Sequence, residues 1–308
     1  MAKKKLSKKR SPASAKKSGT NAIKTATAKK VAKIARPMSF AAATAKAVPT
    51  RQRVNAMQAS TSMLLADEKD MSRAISVLRD TTEKSEVRLA ALQAIQAATF
   101  SAIQFEGHRK DFTAALREIA KDSDLELRQR VLGILSREDD AYAQKLLIDG
   151  LKTPSKAVVS PEKALQLLSY NVHVGAFKVA KDLAENSPDP IVRCEALRLL
   201  SSDPKSVTLF EKYLGNKKED ASVRQMAATA LHALDPEKLQ TYARDVVLDP
   251  TENNDLQAMC LTAITSFGEY QTVDKDSVLK KRVSKMNTKG TASELKRSAS
   301  TFVDKYSQ

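Results

Sequence analysis

The side chains that could do nucleophilic, acid–base or metal chemistry are few and scattered. Histidine occurs at His108, His173 and His232 only, 65 and 59 residues apart. A helical zinc pair needs two ligands one turn apart, so these three cannot form one locally. Arg109, Val174 and Ala233 follow them, where a His-Glu pair would have glutamate. Cys194 and Cys260 are too few for a disulfide framework or an all-cysteine zinc site, and low cysteine fits a reducing compartment. Cys260 lies on an apolar stripe and reads as packing rather than as a nucleophile. Eight glycines without a Gly-x-Gly exclude a Rossmann fingerprint and a Walker A loop, whose backbones need glycine to approach phosphates. No Gly-x-Ser-x-Gly is present, and the carboxylates nominate no acid–base pair. No catalytic residue, no metal site and no cofactor is therefore expected.

What the sequence does offer is charge. The chain carries 52 Lys+Arg against 36 Asp+Glu, a net +16. Residues 1–66 hold sixteen of the cations and no carboxylate, the first being Asp67, so residues 67–308 carry 36 of each sign and are neutral. The Lys, Ala and Ser blocks of residues 1–55 cannot bury enough apolar surface to offset chain entropy, and a disordered basic tail is expected there. Its cations Lys3, Lys4, Lys5, Lys8, Lys9, Arg10, Lys16, Lys17, Lys29, Lys30 and Lys33 suit DNA or RNA phosphates, which bind by counterion release without sequence preference. Phe40 is its one aromatic, so base stacking is not its mode. Phosphorylation of Ser11 would subtract about 1.5–2 charges. In residues 274–308, nine basic and four acidic residues give +5, leaving −5 over 67–273, and Lys280, Lys281, Arg282 and Lys285 form a second basic cluster. No run of 18 apolar residues exists and no apolar segment follows the charged start, so neither a membrane partner nor a secretory signal is expected.

Positioning falls to helices. From Asp67 onward apolar residues recur at helical spacing, and alternating strand-like runs are absent. A small or branched residue paired with an apolar one recurs as Ala91-Leu92, Val131-Leu132, Ala164-Leu165, Ala196-Leu197, Ala227-Ala228 and Cys260-Leu261, at intervals of 40, 33, 32, 31 and 33. Four residues before each pair stand Val87, Leu127, Ser160, Val192, Val223 and Leu256. In four cases arginine follows: Arg88, Arg128, Arg193 and Arg224. A period near 32 residues signals a helical solenoid. Partner helices are predicted near 69–79, 108–120, 139–151, 172–185, 205–214 and 236–248. Asp189-Pro190, Asp203-Pro204, Asp235-Pro236 and Asp249-Pro250 each offer a capping Asp with a proline suited to the first turn. Because the arginines recur once per unit, each is expected to fill a structural slot between repeats, bonding a turn Asp or a carbonyl.

The segments Asp189-Pro-Ile-Val-Arg-Cys-Glu-Ala-Leu-Arg-Leu-Leu200 and Asp220-Ala-Ser-Val-Arg-Gln-Met-Ala-Ala-Thr-Ala-Leu231 resemble HEAT repeats of the PBS-lyase-like subgroup. Pro161 and Gln257 depart from the pattern where arginine is expected. The resemblance spans about 70–267. It implies an all-α, right-handed α-solenoid of about six helix pairs, here 67–267, whose second helices line a binding surface. Residues 268–308 would form a basic, partly helical end segment, with helices near 275–285 and 292–306. The tail resembles linker-histone tails in composition.

The function expected is that of a non-enzymatic adaptor. The solenoid would bind a protein partner through its second helices, with Arg130, Glu195, Arg198, Met226 and Thr229 at exposed positions. The tail would attach it to nucleic acid, on the nucleoid of a bacterial cell or in a eukaryotic nucleus. One alternative is a HEAT-like nucleic-acid reader or glycosylase-type enzyme, which requires a positive groove in the body. Another is a purely structural scaffold with an incidental tail. Oligomeric state is left open, since solenoid ends can stack.

Overall fold

The computed structural model describes residues 40–59, 64, 67–171, 174–288 and 290–306. Among them there is no strand. The chain divides between Pro37 and Met38. The helices are α1 (Phe40–Thr44), α2 (Thr50–Ala59), α3 (Glu68–Arg79), α4 (Ser85–Ala98), α5 (Ala102–Phe105), α6 (Arg109–Ile119), α7 (Leu125–Arg137), α8 (Ala141–Lys152) and α9 (Pro161–Leu168). They continue as α10 (Val174–Asn186), α11 (Pro190–Leu200), α12 (Val207–Gly215), α13 (Ala221–Leu234), α14 (Pro236–Leu248), α15 (Asn254–Phe267), α16 (Tyr270–Lys275), α17 (Ser277–Met286) and α18 (Ser293–Tyr306).

Consecutive helices pair, and the pairs stack. Second helices pack on second helices along α2–α4, α9–α11–α13–α15 and α15–α18, while first helices pack along α1–α3–α6 and α14–α17. The result is an all-α, HEAT-like solenoid with one continuous apolar core. The two helix types read differently because they are buried differently. A first helix such as α3 buries a narrow stripe, Met71, Ala74, Ile75 and Leu78. A second helix such as α4 lies between neighbours and buries Val87, Ala90, Ala91, Leu92, Ala94, Ile95 and Ala98. Its alanines let adjacent helices approach, and each buried Leu or Ile contributes roughly 1.5–3 kcal/mol.

The six predicted pairs are present within a few residues of the expected bounds. The Asp side chains stop and start them. Asp189 accepts from the Ile191 amide, Asp203 from Lys205 and Asp235 from Lys238. Asp124, Asp140, Asp220 and Asp276 cap in the same way, each such cap contributing about 1 kcal/mol. Asp249 departs from expectation. It holds the turn by accepting from the Thr251 amide, while Asn253 caps α15 through the Asp255 and Leu256 amides. Pro250 thus sits in the turn, where its fixed φ is also favourable, and three residues of loop intervene before the helix.

The array extends beyond the predicted bounds at both ends. The expected disordered segment 1–55 overlaps α1 and α2, which form a further pair with Phe40, Ala43, Arg53, Ala56 and Met57 buried. Composition misleads here because four apolar residues, Phe40, Ala43, Ala56 and Met57, suffice to pack the pair although the rest of the segment is polar or exposed. At the other end α17 and α18 match the predicted 275–285 and 292–306. Helix α18 lies on α15, with Thr262 Oγ1 and Ser298 Oγ 3.0 Å apart and Phe302 and Tyr306 buried. The 40-residue interval between the first two repeats is explained by an insertion, Thr99–His108, containing α5 and leaving Phe100 and Ile103 exposed.

Candidate partner-binding face of the second helices

Where a second helix carries the repeat arginine in its first turn, the side chain is built into the stack. Arg88 on α4 donates from Nε to the Leu78 carbonyl at the end of α3, 3.0 Å, and from Nη2 to Asp122 in the turn of the next pair, 2.6 Å. Arg224 on α13 does the same, reaching the Leu214 carbonyl and both oxygens of Glu252 at 2.7 Å. Arg53 on α2 repeats the pattern on the Ala43 carbonyl and Glu83, although only Arg88, Arg128, Arg193 and Arg224 were predicted. Each of these guanidiniums satisfies a helix-end carbonyl and ties its pair to the acidic turn of the next. Arg193 pairs with Glu219 at 2.7 Å. Gln257 takes the slot neutrally, donating to the Val246 and Asp249 carbonyls.

The ladder fails in the middle of the array. The turn that would face Arg128 is residues 153–160, which contain no carboxylate, so Arg128 turns back to the Asp122 carbonyl and its buried Nε has no partner. The next repeat has Pro161 in place of arginine. The carboxylates of the ladder are correspondingly perturbed. The hydrogen bond from Arg53 holds the Glu83 carboxyl below its usual range. Burial works to raise Asp122 and Glu252, and the bonds from Arg88 and Arg224 override it and lower both.

With the arginines absorbed, the outward surface of the second helices carries grooves, two of which hold predicted partner-binding residues. The first, about 380 Å³, lies where α4, α7 and α9 meet and is lined by Gln96, Gln129, Arg130, Arg137, Lys163 and Tyr170. The second, about 530 Å³, crosses α11, α13 and α15 and brings together Arg198, Met226 and Thr229 with Ile191, Cys194 and Met259. Of the predicted partner-binding residues, Arg130, Arg198 and Thr229 are exposed, whereas Glu195 and Met226 are only half-exposed. Arg198 is bound to Glu195 at 3.0 Å and Arg130 to Glu126 at 2.8 Å. Thr229 Oγ1 approaches Met259 Sδ at 3.8 Å. Ile191 and Met259, which complete the second groove, were not predicted. Ile191 occupies the position two before the ladder arginine, so the repeat register itself was the signal.

The other predicted residues are distributed as follows. Lys3, Lys4, Lys5, Lys8, Lys9, Arg10, Ser11, Lys16, Lys17, Lys29, Lys30 and Lys33 lie outside the described residues, as does His173. The cluster at 280–285 is divided. Lys280 pairs with Asp274 and Arg282 donates to the Val247 carbonyl, leaving Lys281 and Lys285 exposed. His232 lies edge-on to Phe267, centroids 4.9 Å apart, and His108 neighbours Phe105. Burial pushes the Cys194 thiol up, and that of Cys260 to about 12, so neither is a thiolate at neutral pH. Among the described residues, no three His, Cys, Asp or Glu side chains converge as a metal site, and no helix is long and apolar enough to cross a membrane.

No family model matches the chain, and no curated protein matches it either. Solved structures similar to it include human deoxyhypusine hydroxylase in complex with glycerol, 13% identical over 80% of this chain and 99% of that one, with a TM-score of 0.35. Another is the complex of CpcE and CpcF of phycocyanin lyase from a Nostoc species, 16% identical over 89% of this chain and 97% of that one, with a TM-score of 0.36.

Proposed function

We propose that the chain is a non-enzymatic HEAT-repeat adaptor that holds a protein partner on its second helices and attaches to DNA or RNA through its basic N-terminal segment. The observation that carries this reading is the groove across α11, α13 and α15. Its lining combines the apolar Met226, Met259 and exposed Ile191 with the polar Arg198, Gln225, Thr229 and Asp255. Soft apolar side chains set among polar ones suit a protein contact, and methionine adapts its shape to what it meets. The nucleic-acid attachment rests on the thirteen cations of residues 1–37, a stretch of sequence that contains no carboxylate.

The reading of the body as a nucleic-acid reader finds less support. The face that would follow a phosphate backbone carries Glu86, Glu126, Glu195 and Asp255 among its cations. The adaptor reading is tested by affinity capture from nuclease-treated lysate, comparing the natural chain with Met226→Glu. Retention of the same protein by the natural chain and its loss from the variant is the expected result. Capture that disappears on nuclease treatment, or that Met226→Glu leaves unchanged, refutes it.

A further inference from the structure

We propose that the groove between α4, α7 and α9 is a receptor for carboxylate side chains, and that the partner presents an acidic peptide segment to it. This rests on the adaptor reading and names the chemistry of one part of the partner.

Most of the array's arginines are spent on carboxylates of the chain itself: Arg53, Arg79, Arg88, Arg117, Arg193, Arg224 and Arg244 all sit in ion pairs. At this groove the accounting differs. Glu126 is its one acid, and Arg130 occupies it at 2.8 Å. Arg137 has no carboxylate partner among the described residues, and its guanidinium lies 5.4 Å from the centroid of the Tyr170 ring. Among the described residues Lys163 donates only to Gln166 Oε1, 2.8 Å away. Two cations therefore face one cleft without counter-charge.

The geometry suits a carboxylate. A guanidinium held against an aromatic face keeps its planar N–H fork free for a two-point bond, and fixing the side chain beforehand reduces the entropy lost on binding. Helix α7 has Gly133 at the register position where the neighbouring second helices α4 and α9 carry Gln93 and Gln166, so it places no side chain in the cleft there. A Cβ at Gly133 would touch nothing closer than Leu167 Cδ2 at 3.7 Å. The volume of about 380 Å³ admits a few side chains. A nucleic-acid backbone needs a continuous cationic track, and Glu86 and Glu195 interrupt the face on either side. A discrete acidic segment fits where a phosphate strand does not.

The test uses the full chain and a fluorescein-labelled oligo-glutamate peptide, read by anisotropy near physiological salt. Two variants each remove two cations: Arg137→Gln with Lys163→Gln in the groove, and Lys281→Gln with Lys285→Gln at the far end. The groove variant is expected to weaken binding by about tenfold or more, as for loss of charge-assisted hydrogen bonds, and the end variant by less than about twofold. Equal losses would place the peptide on the chain's basic segments and overturn the proposal, as would absence of binding to the natural chain. A single-stranded oligonucleotide weakened by the groove variant as much as the peptide would make the groove a phosphate surface and also overturn it. Partner capture sensitive to Met226→Glu, persisting alongside any of these results, would leave the adaptor reading standing and remove only this one.

Discussion

At the scale of residues, stability is concentrated where charge is buried. Arg224 and Glu252 are both about 5% exposed and bond through two parallel contacts. Removing one partner leaves the other charged in the stack, whereas removing both leaves an apolar gap of modest cost. Arg224→Met is therefore expected to cost about 3–5 kcal/mol at neutral pH, and the double variant Arg224→Met with Glu252→Met less. Urea denaturation of the four proteins measures both. The pH dependence follows in sign. Glu83, Asp122 and Glu252 titrate below their ordinary values in the folded chain. Their contribution is complete above the unfolded carboxylate range and is lost as pH falls through the folded values. The natural chain should lose stability as pH drops below about 4, and the gap between it and Arg224→Met should narrow over the same interval. An unchanged gap would mean that Glu252 is not the group responsible. The arginines of this ladder are legible as a once-per-repeat column. Their acids are not, because Glu83, Asp122, Glu219 and Glu252 lie 30, 34, 26 and 28 residues downstream of their partners. That spacing varies with every turn and with the insertion at Thr99–His108.

At the scale of elements, the helices follow from sequence because apolar period and Asp caps agree, and the exceptions are local. Residues 99–108 break the period without announcing a helix of their own. Asp249-Pro250 offers the same two letters as a helix start, yet Asn253 is better placed to cap. The register also fails to report what a glycine is for, and two helices make the point. In α7, a Cβ on Gly133 meets only ordinary contacts. In α8, a Cβ on Gly150 would stand 2.9 Å from the Ala157 Cα, because the chain folds back against the helix there. The same substitution should therefore have opposite signs. Gly133→Ala is expected to stabilise by about 0.5–1 kcal/mol through helix propensity alone. Gly150→Ala is expected to destabilise by about 1–3 kcal/mol, since backbone must shift. Thermal melts of the two variants decide this. A gain at Gly150 would show that the 153–160 segment yields easily.

At the scale of the whole molecule, the division between charge and fold lies at a different residue from the one composition suggests. The acid-free stretch ends at Asp67, and disorder to residue 55 is the natural reading of it. The compact unit nevertheless begins at Met38, and Arg53, one of the cations in that stretch, is a rung of the ladder rather than part of a tail. Its place 35 residues before Arg88 was the available sign, outweighed by a composition that is averaged over the whole segment. Two truncations separate these roles. Removing residues 1–37 takes away thirteen cations and no described helix. It should leave the melting temperature unchanged. If the segment engages about 6–10 phosphates, it should also abolish the roughly 10³–10⁵-fold fall in DNA or RNA affinity between about 50 and 200 mM salt. Removing residues 1–55 takes away α1 and half of α2 as well, strands Glu83 without its guanidinium and uncovers the face of α4 against which α2 packs. That chain should lose the same salt-dependent binding and, in addition, melt several degrees lower, as expected for loss of a buried ion pair in a stack of interdependent repeats. Equal melting of the two truncated chains would return residues 40–55 to the tail, and nucleic-acid affinity surviving in both would move the attachment onto the solenoid itself.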